Sequence, residues 1–163
     1  MKSRLKGMIW VWAIMFFLVS CKQGESRPDY LGDINYTAPV VLLEYVHNDE
    51  GEFLEYREVL DLEKLINGTR LPIVICLRQI NDQAGPIVIP KMEEWTVEYR
   101  DRALFVFADI TSDQSILTSF EANVTPTFHL VQGGAKIMYA SWEEQGALAL
   151  MEEALEARTQ GVE

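Results

Sequence analysis

The chain has 163 residues, of which 48% are hydrophobic, and it carries a formal net charge of -11. Its length suits one domain of the usual size behind a leader segment. So strong an acidic excess argues against nucleic acid as a partner, because phosphate groups would be repelled.

Residues 1–20 have the pattern of a secretory signal peptide. Lys2, Arg4 and Lys6 precede an uninterrupted apolar run over residues 8–19. That run is shorter than the span of about 20 residues that a transmembrane helix needs. Removing this segment, which has three bases and no acid, takes the net charge from -11 to -14.

The apolar run ends in Leu18-Val19-Ser20-Cys21, which resembles the lipobox of bacterial lipoproteins. The resemblance implies cleavage before Cys21 and acylation of its sulfur. We therefore expect an exported protein of the bacterial cell envelope, held on a membrane by lipid. The alternative is an ordinary signal peptide, or an uncleaved anchor, with an incidental cysteine. Residues 21–38 are polar with little periodicity, and they predict a flexible tether.

The predicted domain covers residues 39–158. Residues 40–46 and 53–60 are rich in strand formers and flank a turn, so they predict an N-terminal hairpin. A short helix follows over residues 61–66, with Asp61 as its N-cap.

Two continuous apolar runs, residues 72–77 and 104–110, suit strands that are buried on both faces. The segment between them predicts a helix, because three large apolar side chains recur at helical spacing: Met92, Trp95 and Tyr99. A strand, a helix and a second strand in this order predict a parallel, right-handed unit.

The last third of the domain predicts two more helices and a second hairpin. Residues 112–123 have helical periodicity, with Ser112 or Asp113 as cap, and a final helix is expected over residues 143–157. Between these helices, residues 128–131 and 137–142 predict an antiparallel hairpin. Residues 159–163 are expected to form a C-terminal tail.

A proline opens an apolar strand in Val124-Thr125-Pro126-Thr127-Phe128, a position that suits a residue without an N–H donor. This stretch, with the predicted order of elements, resembles the cis-proline corner of the thioredoxin fold. The resemblance implies an α/β domain with a central mixed sheet flanked by helices and an extra N-terminal strand or hairpin. An unrelated α/β fold with a trans Pro126 is the alternative.

The thioredoxin family places Cys-Gly-Pro-Cys at the head of the helix that faces this corner. Here Ala84-Gly85-Pro86-Ile87 stands there, so the glycine and proline are retained and both redox sulfurs are missing. We expect no catalytic residue, cofactor or metal site, since neither Ala84 nor Ile87 can act as nucleophile, acid or base. His47 and His129 are too far apart in sequence to form a local metal motif.

Cys76 is the remaining candidate for thiol chemistry. It lies within an apolar run, where burial would raise the thiol pKa and limit access. We interpret it as a small hydrophobic core residue. The alternative is a thiol-disulfide enzyme that uses Cys76 alone.

One property of the fold could persist without the cysteines. In the thioredoxin family the residue before the cis-proline offers its backbone to an extended peptide, so the resemblance implies peptide binding at Thr125, Pro126 and Thr127. The resulting hypothesis is a redox-inactive, thioredoxin-like envelope lipoprotein that binds a protein or peptide partner.

Overall fold

The computed structural model describes residues 27–111 and 114–160. These residues contain seven strands and four helices. The strands form one mixed sheet in the order β1-β3-β2-β5-β4-β6-β7. In chain order the elements are β1 (Leu31–Ile34), β2 (Val40–Asn48), β3 (Gly51–Val59), α1 (Leu62–Gly68), β4 (Ile73–Arg78), α2 (Gly85–Glu98), β5 (Leu104–Asp109), α3 (Ser115–Phe120), β6 (Thr127–Gln132), β7 (Ala135–Ser141) and α4 (Ala147–Thr159). The prediction of a central mixed sheet flanked by helices is confirmed.

Strand β4 lies inside the sheet, parallel to β5 and antiparallel to β6. Each residue from Ile73 to Leu77 is at most 1% exposed, because both faces are covered. Val74 and Cys76 pack with α2 and α4, whereas Ile75 and its odd-numbered neighbours pack with α1 and α3. Side chains on a strand alternate between faces, so one continuous apolar run supplies two cores.

The N-terminal hairpin forms as predicted from β2 and β3, and β2 also pairs antiparallel with β5. The predicted tether over residues 21–38 is wrong for its second half. Residues 31–34 form β1, which places Leu31 opposite Val59 on the free edge of β3. The packed domain therefore starts before residue 39, while Cys21 and the signal peptide lie outside the described residues.

The ends of α3 and α4 differ by a few residues from the sequence prediction. Helix α3 spans Ser115–Phe120, which is shorter than the predicted 112–123, and its proposed caps Ser112 and Asp113 lie outside the described residues. Helix α4 runs to Thr159, one residue into the predicted tail. No helix within residues 27–111 and 114–160 combines the length and the apolar character of a membrane span.

The predicted N-cap of α1 provides a test of local stability. Asp61 accepts a hydrogen bond from the Lys64 amide at 2.9 Å, so Asp61→Ala should lower the free energy of unfolding by about 1 kcal/mol in urea titrations. Asp61→Asn keeps an acceptor oxygen and should stay within about 0.5 kcal/mol of the parent. An equal loss of unfolding free energy in the two variants would show that this hydrogen bond does not stabilise the start of α1.

Candidate functional site

The corner, residues 124–128, lies at the carboxyl end of β4. The Thr125-Pro126 bond is cis, as the resemblance implied. Leu77 of β4 pairs with Thr127, so the next residue outward on β4, Arg78, stands opposite Pro126. On the other side the Pro126 carbonyl accepts a hydrogen bond from the Trp142 amide at 3.0 Å.

The backbone of Thr125 is unpaired. Within the described residues, neither its N–H nor its C=O takes part in a hydrogen bond, and the ladders on both sides begin at Thr127. Thr125 is half-buried. An extended segment lying beside it could therefore use both groups without displacing a bond that the protein already makes.

Thr127, which was predicted to contact a partner, has a buried side chain. Thr127 is fully buried and pairs with Leu77 on one side and Ser141 on the other. Its hydroxyl lies 3.2 Å from Nε2 of His129. Because the strand alternates, this side chain faces α1 and α3, away from the surface of the corner.

His129 is a core residue rather than part of the corner surface. Its ring packs edge-on against Phe120 at 4.9 Å and against Tyr139 at 5.2 Å between centroids. Burial, with a smaller contribution from the Lys136 charge, lowers the pKa of His129 to about 4. The imidazole is therefore neutral at physiological pH.

The four residues that replace the Cys-Gly-Pro-Cys motif lie at the start of α2, and they are not all exposed. Helix α2 begins at Gly85 with Pro86 in its first turn, as predicted. Ala84 is buried as the N-cap residue, whereas Ile87 is 56% exposed. Among these four residues only Pro86 and Ile87 can present much surface to a partner.

Sequence reasoning missed Asp82, the ionisable group at this helix start. Its Oδ1 accepts a hydrogen bond from the Ala84 amide at 3.1 Å, and its carbonyl accepts one from the Gly85 amide at 3.0 Å. Oδ2 is buried without a partner in the described residues. An aspartate two residues before the first amides of a helix is a turn signal that the sequence does contain.

Cys76 is enclosed by the sheet. It is 0% exposed and lies between Phe107 of β5 and Phe128 of β6. Burial raises the pKa of its thiol far above the ordinary value. A protonated and inaccessible thiol is a poor nucleophile, so this environment disfavours a thiol-disulfide enzyme based on Cys76.

A small cavity of about 120 Å³ lies where β4 and β5 end and β2 begins. Arg78 enters it with its Cζ 4.7 Å from the centre of the Phe107 ring. Tyr36 and Tyr56 line the wall, with 5.3 Å between their ring centres. We call this space the Arg78 cavity.

The two histidines lie in different environments. His47 is exposed near the end of β2, with Nδ1 3.4 Å from Glu52, and His129 is in the core. In residues 27–111 and 114–160, no three His, Cys, Asp or Glu side chains come together as metal ligands could.

Known proteins resemble this chain in structure only. No protein-family model and no curated protein matches it, but solved structures do. Thioredoxin from Fasciola hepatica has a TM-score of 0.53 at 20% identity, covering 60% of this chain and 90% of that one. A mutant thioredoxin from Halobacterium salinarum gives 0.51 at 16% identity, with 63% and 86% covered.

The fold is thioredoxin-like. A mutant thioredoxin from Entamoeba histolytica agrees, with a TM-score of 0.50 at 27% identity over 57% of this chain and 89% of that one. The thioredoxin-like fold excludes the alternative of an unrelated α/β architecture. It also accounts for the position of the corner, beside the helix that follows the central strand.

The buried imidazole of His129 makes stability depend on pH. Its folded pKa of about 4 lies below the ordinary 6.5, so the unfolded chain binds the proton first as pH falls. Stability from this group is complete above pH 6.5 and should fall by about 3 kcal/mol as the pH drops to about 4. Urea unfolding of the parent should show this loss, and His129→Gln should lack it. Superimposable pH profiles would contradict the assignment.

The enclosed thiol of Cys76 should resist alkylation. At about pH 8, iodoacetamide should leave Cys76 unmodified in the native protein and label it in concentrated guanidinium, as followed by peptide mass spectrometry. Ile87→Cys is the matched control, because its exposed thiol at a helix N-terminus should react readily in the native state. Rapid native labelling of Cys76 would restore the thiol-enzyme hypothesis.

Proposed function

We propose that this chain is a redox-inactive binding protein of the bacterial cell envelope, anchored by lipid on Cys21, that holds an extended protein or peptide segment at the corner. The observation that carries the proposal is the unpaired backbone of Thr125 beside Pro126. Main-chain pairing with an added extended segment gives affinity without demanding one particular sequence.

Apolar side chains around the corner support a role in binding. Ile80 and Ile87 are 65% and 56% exposed on the segment that leaves β4 and enters α2. A hydrogen bond contributes only about 0.5–1.5 kcal/mol net, so two bonds to Thr125 would not hold a partner alone. Covering both isoleucines adds about 25 cal/mol for each Å² of apolar surface removed from water.

The groups at the helix head support a role without redox chemistry. Ala84 and Ile87 carry no sulfur, and the thiol of Cys76 is enclosed within the sheet. The signal-peptide pattern and the lipobox motif support the envelope location and the anchor. The lipid is expected to keep the domain, and any partner bound to it, at a membrane.

Photo-crosslinking in intact cells tests this function. Benzoylphenylalanine in place of Ile87 should capture one partner reproducibly, whereas the same probe at Val97, 41% exposed further along α2, should not. Pro126→Ala should abolish the capture. Thr125→Val should retain it, because that change removes only a hydroxyl and leaves the backbone groups in place.

The controls separate binding from misfolding and from loss of the anchor. Pro126→Ala is informative only if its circular dichroism and urea midpoint match a folded domain. Cys21→Ser should move the protein out of the membrane fraction. Equal capture at Ile87 and Val97, or capture that survives Pro126→Ala in a folded protein, would overturn the proposal.

A further inference from the structure

The guanidinium of Arg78 has no polar partner among the described residues. It makes no hydrogen bond to any of them, and no ion pair within 4.0 Å. Its Nε is buried, while its contact with the Phe107 ring occupies only one face. A buried N–H donor without a hydrogen-bond acceptor is costly, so the Nε–H group of Arg78 is an unfilled donor in this cavity.

Other arginines show that the chain can supply partners where it needs them. Arg57 lies against Glu44 and Glu55, with its Nε 2.5 Å from a Glu44 oxygen. Arg27 pairs with Asp33 at 3.0 Å. This acidic protein has many carboxylates, but none of those described lies within ion-pair distance of Arg78.

Each polar neighbour of Arg78 makes a hydrogen bond to another group and no ion pair with Arg78. Asp109 stands beside it on β5 and shares the cavity, but its Oδ1 accepts a bond from the Thr111 amide at 2.8 Å. Tyr56 donates its hydroxyl to Glu93 at 2.5 Å. The remaining walls are mainly aromatic or aliphatic, which leaves Arg78 as the charged donor for any group that enters.

We propose that the Arg78 cavity binds a single carboxylate of the segment held at the corner. By the register of β4 with β6, Arg78 stands opposite Pro126, and on the other side of β4 it lines the cavity with Phe107 and Asp109 of β5. Arg78 therefore lies between the corner and the cavity. This inference rests on the proposed function in one respect, that the bound segment supplies the carboxylate.

The chemistry of the cavity favours one carboxylate over other anions. The planar guanidinium matches a carboxylate with two parallel N–H donors, and the tyrosine rings accommodate its short apolar stem. Asp109, which lines the same cavity, opposes a second negative charge and so disfavours a phosphate dianion. The acidic protein surface further favours a carboxylate whose neighbours in the partner are neutral or basic.

Three capped amino acids test the inference on the full-length protein without a known partner. N-acetyl-glutamate methylamide carries a side-chain carboxylate, N-acetyl-glutamine carries a C-terminal one, and N-acetyl-glutamine methylamide carries none. Nitrogen–proton NMR of the Arg78 Nε–H signal reports binding. We expect at least one carboxylate probe to bind about tenfold more tightly than the uncharged isostere, which is worth about 1.4 kcal/mol. The tighter of the two identifies the source of the carboxylate.

Variants separate recognition from general charge effects. Arg78→Gln should abolish the preference, and Arg78→Lys should weaken it because the two-pronged geometry is lost. Arg100→Gln is the matched control, since Arg100 also stacks on a ring, that of Tyr45 at 5.1 Å, in a different cavity. That variant should bind as the parent does. The urea midpoint of Arg78→Gln should be no lower than that of the parent.

Equal binding of all three probes, no binding by either carboxylate, or tighter binding of inorganic phosphate would overturn the inference. The probes are too short to depend on the backbone of Thr125. A negative result here with successful crosslinking at Ile87 would reject the carboxylate site alone. Carboxylate binding without crosslinking would reject the peptide-binding function alone.

Discussion

The burial of β4 on both faces is the constraint on which the remaining structure depends. Its side chains from Ile73 to Leu77 are shared between two cores and cannot meet solvent or a ligand. Any chemistry along this strand is therefore confined to the point where it leaves the sheet, at Arg78. The thiol of Cys76 lies two residues before that point and is therefore enclosed in the core.

Several groups that could bind a partner gather at this strand end. The corner supplies unpaired backbone at Thr125, the following loop supplies an exposed Ile80, and the strand itself supplies a cation in Arg78. Asp82 and Asp109 bring opposite charge to the same end of the sheet. Such a surface suits recognition of a segment that offers both main-chain hydrogen bonds and a charged side chain.

Local patterns predicted much of this fold, because the contacts they report are close in sequence. The apolar run of β4 and the cap at Asp61 were predicted from such patterns, and the Gly85-Pro86 start of α2 from the resemblance to thioredoxins. Strand β1 escaped prediction because its four residues are stabilised by the edge of β3. The Arg78 cavity was missed since its walls come from strands far apart in the chain. The burial of the Thr127 side chain was not foreseen because its direction follows from pairing with β4 and β7.

If lipid is attached to Cys21, the short strand β1 limits how far the domain can stand from a membrane. Only nine residues, 22–30, then lie between the anchor and Leu31, where the chain first pairs with the sheet. Fully extended, that stretch reaches about 33 Å, compared with roughly 56 Å for a connector extending to residue 38. A partner captured by such a protein would be kept near the lipid headgroups.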